Sequence, residues 1–428
     1  MTAKPGDRVK VITSGKTYEG VLMPNEETDA VVVKLDNGYN VGVEKGKVKK
    51  IETLKAGKKA GIKHKKIADK KGLPRISILH TGGTIASKVD YRTGAVYSSF
   101  NPEELLGMFP ELRDIANFDS KLIANMWSDD LRFSHFELIA KTIEKEAKKK
   151  IDGIIIGMGT DNLAVAAAAI SFVLEEINIP IILVGAQRSS DRGSSDAAVN
   201  LICAAEFIAK TDFAGVAICM HENSSDKNCV IMPACKTRKL HTSRRDAFKV
   251  VNDSIIARVN FENRDIEFVK NDYAKKGKGG IKIKPKMEDK VGLLKIHVNM
   301  FPEQFEFFKG YKGLIIEGTG LGQTPGQVPN ELCKLHEKFY PAIKKLIDSG
   351  CVVVMTSQCI FGKVHMHVYD KAMDLVNLGV IPGEDMLTET AFVKLAWLLG
   401  NYKKSDVEKL VGQNLRGEIN DRLGKEFL

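Results

Sequence analysis

The sequence has no apolar run near the roughly 18 residues that a membrane span needs. Its longest, such as Ile151–Met158, are of strand length. That excludes a helical membrane protein. The start, Met-Thr-Ala-Lys-Pro-Gly-Asp-Arg, lacks the apolar stretch of a secretory signal, so a cytoplasmic location is expected. Seven cysteines are present (203, 219, 229, 235, 333, 351 and 359), with no Cys-x-x-Cys pair and no matching His ladder. An odd count in a reducing compartment argues against a disulfide framework, and the spacing argues against zinc. All seven are expected to be structural, several as small hydrophobes in apolar runs such as Cys351-Val352-Val353. There is also no His-x-x-x-His pair and no internal repeat. No metal is expected.

What is present points to a globular protein: 428 residues, 43% apolar and 28% charged, enough for two or three domains. The net charge of +10 is uneven, for residues 55–72 carry eight lysines against the single Asp69, a net of +7. Such a block is usually a solvated linker; the other reading is a phosphate-contacting arm.

Residues 1–54 read as short β runs, at Arg8–Thr13, Thr17–Met23, Ala30–Leu35, Asn40–Val43 and Val48–Ile51. Turn signals divide them, among them Asp36-Asn37-Gly38. A small SH3-like β-barrel is expected, followed by a lysine-rich linker over 55–73. From 74 the grammar is α/β. Apolar strands at 75–80, 151–156, 179–184 and 215–219 alternate with helices expected at 102–109, 135–149 (capped by Ser134), 164–176 and 197–209. That predicts a parallel sheet covered on both faces, in a domain spanning 74–285. The basic, turn-rich stretch 258–286 reads as a crossover to a second α/β domain, 286–428, with strands at 291–297, 313–316 and 352–356 and helices at 331–349 and 391–399.

In open parallel sheets, ligands bind beyond the carboxyl ends of the strands. Three loops begin directly after apolar strands: His80-Thr81-Gly82-Gly83-Thr84, Gly157-Met158-Gly159-Thr160-Asp161-Asn162 and Gly185-Ala186-Gln187-Arg188-Ser189-Ser190. Their glycines, Gly83 and Gly159 among them, let backbone approach a ligand and leave N–H groups to hold a developing oxyanion. The first loop lacks both nucleotide-phosphate spacings, Gly-x-Gly-x-x-Gly and Gly-x-x-x-x-Gly-Lys-Ser/Thr. Read by itself it is as readily a plain turn as a site. Thr84 and Thr160, with Asp161 adjacent, are candidate nucleophiles beside a carboxylate, though a threonine hydroxyl needs a base within hydrogen-bond reach. Asp161 alone reads more readily as a helix N-cap. The segment Lys236-Thr-Arg-Lys239-Leu-His-Thr-Ser-Arg-Arg-Asp246 supplies lysines without saying which one serves. For Gln187, Arg188 and the serines after them, capping the next helix is favoured over closing a pocket.

These loops resemble those of the asparaginase/glutaminase family, with its Thr-Gly-Gly-Thr-Ile-Ala and His-Gly-Thr-Asp-Thr motifs, over roughly residues 75–428. More narrowly, His80–Gly94, Lys239–Phe248, Leu378–Leu387 and the barrel with Asp36-Asn-Gly-Tyr-Asn40 resemble the D-subunit family of archaeal Glu-tRNA(Gln) amidotransferases. The resemblance implies a two-domain asparaginase-like body and four catalytic positions, Thr84 as nucleophile and Thr160, Asp161 and Lys239 as a proton relay. Tyr91 matches a mobile-loop tyrosine over the site, and Ser128 and Asp129 match the pair that holds the substrate's α-carboxylate and α-amino group. The implied function is glutamine hydrolysis through a threonyl acyl-enzyme, with ammonia passed to a partner E subunit. That partner would use ATP and Mg²⁺ to convert Glu-tRNA(Gln) to Gln-tRNA(Gln), meeting the tRNA itself, within a heterotetramer built on a homodimer of this chain. A free-standing L-asparaginase is the runner-up; a non-catalytic nucleic-acid-binding protein on the same fold is the third reading. The chain departs from the family at Met158 and Asn162, where His and Thr stand, and at Ala372-Met373, where Gly-Arg stands.

Overall fold

The computed structural model describes residues 3–23, 29–35, 40–56, 69–82, 87–89, 96–98, 109–188 and 195–424. The helix expected at 102–109 lies almost wholly outside them.

Near the N-terminus β1 (Arg8–Thr13), β2 (Thr17–Leu22), β3 (Ala30–Leu35), β4 (Asn40–Glu44) and β5 (Val48–Lys55) form an antiparallel sheet in the order β4-β3-β2-β1-β5. Alternation along the strands buries Val9, Val11, Val33 and Val43 on one face. Among the described residues no β4–β5 pairing closes this sheet, so the coarser result is a small antiparallel β unit rather than the expected SH3-like barrel.

The next sheet has eight strands. Its parallel half is β6 (Arg75–His80), β9 (Asn117–Leu122), β10 (Gly153–Gly157), β12 (Pro180–Val184) and β13 (Gly215–His221). Two short pieces, β7 (Ser87–Val89) and β8 (Val96–Ser98), pair with each other. Beyond β13 the sheet turns antiparallel through β14 (Asn228–Pro233), β17 (Ala257–Asn260) and β18 (Ile266–Phe268), giving the order β18-β17-β14-β13-β12-β10-β6-β9. The sheet is therefore mixed, not wholly parallel. Part of the expected crossover, 258–268, belongs to its edge. Between β14 and β17 stands a hairpin of β15 (Thr237–Lys239) and β16 (Phe248–Val250).

Among the described residues three helices flank this sheet: α1 (Phe133–Ala147), α2 (Leu163–Val173) and α3 (Ala197–Lys210). Ser134 does not cap α1. The helix starts at Phe133, and the Arg132 N–H donates to His135 Nδ1 at 2.9 Å, so the cap comes from inside the first turn. Helix α2 stops at Val173 because β11 (Leu174–Glu176) turns to pair with β19 (Lys282–Ile283).

The second body is a parallel sheet of β20 (Val291–Lys295), β21 (Gly313–Gly318), β22 (Val352–Ser357) and β23 (Ile381–Pro382). Its helices are α4 (Phe339–Asp348), α5 (Asp370–Leu378), α6 (Thr388–Asn401) and α7 (Lys404–Leu410). The helix expected over 331–349 is 3₁₀ until Lys338. Pro341, lacking an N–H, falls in the first turn of α4, where that donor would be free anyway. One core joins the two bodies. The alanines of α2 pack with Trp397, Leu395 and Leu398 of α6, and the Phe172 ring stacks on Trp397 at 5.6 Å. Five cysteines are buried as free thiols, whereas Cys333 is half-buried and Cys359 exposed, so a core role does not extend to those two.

Candidate active site

Strands β6, β10 and β12 end side by side. Gly157 is in register with His80 on one flank and Val184 on the other. The ladder runs one residue further, Thr81 N donating to Gly157 O and Met158 N to Val184 O, each at 3.1 Å. The three glycine loops therefore leave the sheet as neighbours. The chain leaves β6 outward to β9 while β10 lies on the other side, so the strand order reverses between β6 and β10. A reversal of this kind opens a crevice at the carboxyl ends.

Into that crevice comes Lys239, from the end of β15 and distant in sequence from the other groups. Its Nζ donates to Thr160 Oγ1 at 2.9 Å and to Asp161 Oδ1 at 2.8 Å. Thr160 is buried (8% exposed), and the Lys239 side chain is 14% exposed. The Asp161 carboxylate is mostly open, 71% exposed, so the ion pair is anchored on its lysine side. Asp161 is not the helix cap; Asn162 occupies that position before α2. Of the two lysines at the ends of the 236–239 run, Lys239 faces Thr160 while Lys236 turns to Asp385.

The glycines here are fixed by close approach. A Cβ on Gly159 would lie 2.9 Å from Ser128 Oγ, and one on Gly185 would lie 2.8 Å from the Thr160 methyl. Gly82 has φ +99°, and a Cβ there would meet the Met126 backbone at 2.8 Å. The segment 123–128 runs alongside, with Ile123 N donating to His80 O and Met126 N to Thr81 O. It delivers the buried Ser128 to the second loop, with Asp129 exposed beside it. Asn162 holds it there: its N–H donates to Ser128 Oγ at 3.3 Å and its Nδ2 to Ser128 O at 2.9 Å. A carboxamide spans this gap; the family's threonine hydroxyl at the same position is shorter. Nothing in the residue pattern around Asn162 signals this bond. Met158 is fully buried in the core, consistent with an apolar residue where the family has histidine.

Thr84, Gly83 and Tyr91 lie outside the described residues. In the third loop neither Gln187 nor Arg188 caps α3. Their N–H groups donate to the buried Asp196 carboxylate at 3.0 Å each, and Ser195 Oγ accepts from Ala197 N at 3.2 Å. His221 is buried between Asn200 (2.6 Å) and Asp226 (3.1 Å), and His241 Nδ1 accepts from Ser243 N and Arg244 N in the β15–β16 turn. Among the described residues no group of three His, Cys, Asp or Glu side chains is placed to hold a metal.

The hairpin carrying Lys239 has its own electrostatics. Arg244 grips Asp246 with two bonds of 2.8 and 2.9 Å, and this holds the Asp246 carboxyl below its ordinary value of 3.8. Burial pushes the Glu389 carboxyl up despite Arg238 at 3.4 Å.

Residues 75–273 match the family described as Asparaginase, N-terminal; residues 290–410 match the Glutaminase/Asparaginase C-terminal domain; residues 3–54 match the GatD N-terminal domain. The D subunit of the glutamyl-tRNA(Gln) amidotransferase of Pyrococcus furiosus is 44% identical over 97% of this chain and 94% of its own length. Its counterpart in Methanococcus maripaludis is 42% identical over 98% and 99%. Among solved structures, the thermostable L-asparaginase of Thermococcus kodakarensis superposes with a TM-score of 0.71 at 26% identity, covering 81% of this chain and all (100%) of the other. L-asparaginase I of Vibrio cholerae gives 0.69 at 27% identity, covering 81% and 99%.

Proposed function

This chain belongs to the family of glutamyl-tRNA(Gln) amidotransferase D subunits, and on that premise we propose that Thr160, Asp161 and Lys239 form the proton relay of its glutaminase site, with Thr84 as nucleophile. The chain is the amide-hydrolysing subunit of such an enzyme. The observation that carries the site reading is Lys239 Nζ at hydrogen-bond distance from both Thr160 Oγ1 and Asp161 Oδ1. In its neutral form the lysine takes a proton from a threonine hydroxyl, and the aspartate keeps it aimed.

The Thr84 oxygen, its proton passed to that relay, then adds to the carboxamide carbon of glutamine. The C–N bond breaks, and nitrogen leaves as ammonia with the relayed proton. Water cleaves the resulting ester to glutamate and restores the hydroxyl. Ser128 and Asp129 hold the substrate's α-groups, and Tyr91 covers them. A partner E subunit receives the ammonia, supplies the ATP and Mg²⁺ site and meets the tRNA, within a cytoplasmic heterotetramer built on a homodimer of this chain.

Thr84→Ala and Lys239→Ala should each abolish glutamine-dependent conversion of Glu-tRNA(Gln) while leaving the ammonia-dependent reaction intact. Glutamine use that survived both changes would sink the assignment. The asparaginase reading is favoured by the body's likeness to L-asparaginases. The match of residues 3–54 and the near-full-length relatives weigh against it. Rapid turnover of free asparagine by the chain alone would revive it.

A further inference from the structure

The element that carries Lys239 is small. Strands β15 and β16 have three residues each, and an isolated two-stranded ribbon of that length has little stability of its own. Lys249 Nζ ties it to Glu222 O in its own body at 2.9 Å, and a second set of holds lies in the other body. Thr390 Oγ1 donates to Cys235 O at 3.1 Å. Lys236 Nζ donates to Asp385 Oδ2 at 2.6 Å and to Asp385 O at 3.2 Å. Arg238 Nε pairs with Glu389 at 3.4 Å. Just past β16, Asn252 Nδ2 donates to Gly362 O at 2.8 Å, and Gly362 N donates back to Asn252 Oδ1 at 2.9 Å. Asn420 Nδ2 reaches the Asn252 carbonyl at 2.6 Å. Both strands of the hairpin are thus fastened at their roots to segment 385–390, Gly362 and Asn420.

The Lys236–Asp385 pair is the fixed point. Neither side chain has any exposed surface. The remaining capacity of the carboxylate is filled by Asn420, whose N–H meets Oδ1 and whose Nδ2 meets Oδ2, each at 3.0 Å. A buried ion pair of this kind adds little net stability over a well-packed apolar pair. What it adds is direction, since the charges meet in one geometry whereas apolar groups slide.

We propose that this cross-domain mount sets Lys239 against Thr160, with Lys236 and Asp385 as positioning residues that touch neither substrate nor reacting atoms. The proposal rests on the reading of Lys239 as a member of the relay. Lys236 immediately precedes β15 and Lys239 ends it, so a shift at the root is carried to the ammonium. A displacement of about 1 Å at a reacting group costs about a hundredfold in rate.

The test uses the full chain assembled with its partner E chain. K236M/D385L replaces the pair without stranding a charge, K236R keeps the charge, and N252A loosens the second root should the double variant fail to fold. Hydrogen exchange over 236–251 is compared with that over β14, and glutamine kcat and KM are measured below each variant's melting temperature, with K239A alongside. The expected result is faster exchange in the hairpin but not in β14, with kcat down about a hundredfold. KM should change little, and K236R should recover most of kcat. Unchanged hairpin exchange overturns the mount, as does a loosened hairpin with wild-type kcat when K239A is inactive. Wild-type kcat in K239A refutes the relay reading instead, and the exchange comparison alone then decides the mount.

Discussion

Asn162 shows how a single residue can brace the wall of the proposed substrate pocket from outside the proposed relay. Its Nδ2 bond to Ser128 O, beside the backbone N–H bond to Ser128 Oγ, ties the segment after β9 to the loop after β10. Removing the carboxamide frees the Ser128 carbonyl and relaxes the pocket wall. A neutral hydrogen bond contributes about 1 kcal/mol, so Asn162→Ala should raise the glutamine KM on the order of fivefold. Steady-state kinetics check this, and a fall in kcat with KM unchanged would contradict it. Residue chemistry was partly legible in the sequence. Thr160 and Asp161 stood out because a glycine loop after an apolar strand marks a sheet end. Lys239 stands out only through the family resemblance, since a run of cations does not by itself say which ammonium meets Thr160. At Asn162 the sequence shows only a departure from the family's threonine, because its partner Ser128 is distant in sequence.

At the scale of elements, the β15–β16 hairpin depends on its turn as well as its roots. Asp246 accepts from Arg244 and from Lys249 (3.3 Å), and its folded-state pKa lies below the ordinary 3.8. A depressed carboxyl pKa stabilises the fold above the unfolded value, and this is lost as pH falls through the folded one. Asp246→Asn should therefore flatten the fall in stability below about pH 4, as read by thermal melts across pH. Identical acid profiles would show that the turn contributes nothing there. Four strands of the parallel half of the large sheet, β6, β10, β12 and β13, are readable from their continuous apolar runs, whereas the polar β9 is not. The antiparallel half was not, because short polar-edged strands such as 266–268 look like loop. In the N-terminal unit, hairpin signals identify neighbouring strands but carry no information on closure.

Over the whole molecule, the C-terminal segment acts as a clasp. Arg416 donates from Nε to Ser171 O at 2.9 Å and lies over the Trp397 ring at 5.8 Å. Lys394 and Glu418 meet at 2.5 Å with no exposed side-chain surface, and Glu418 also accepts from Leu415 N and Arg416 N. Lys394→Met would leave a carboxylate buried without its cation, at a cost of about 3–5 kcal/mol. Denaturant unfolding measures this, and a loss under about 1 kcal/mol would show that the site relaxes and admits water. No such coupling can be read from the sequence, because Lys394 lies in an apolar helical run and Glu418 in a polar tail, and nothing in the pattern pairs them.

The crossover between the bodies is anchored to the rest of the chain on both sides of Gly280. Ala214 N reaches Ala274 O, Lys276 N reaches Asp212 O and Lys284 N reaches Val173 O, while Gly280 has open space around it. Covalent continuity there is dispensable if the shared core and the buried ion pairs hold the halves together. A chain cut after Gly280 should behave as a split enzyme: two fragments, co-expressed, that find each other and regain glutamine hydrolysis. Either fragment alone should be inactive, because one carries Lys239 and the other carries its mount. Co-purification followed by an activity assay decides the matter, and fragments that stay apart would show that the bridge itself holds the two halves in register.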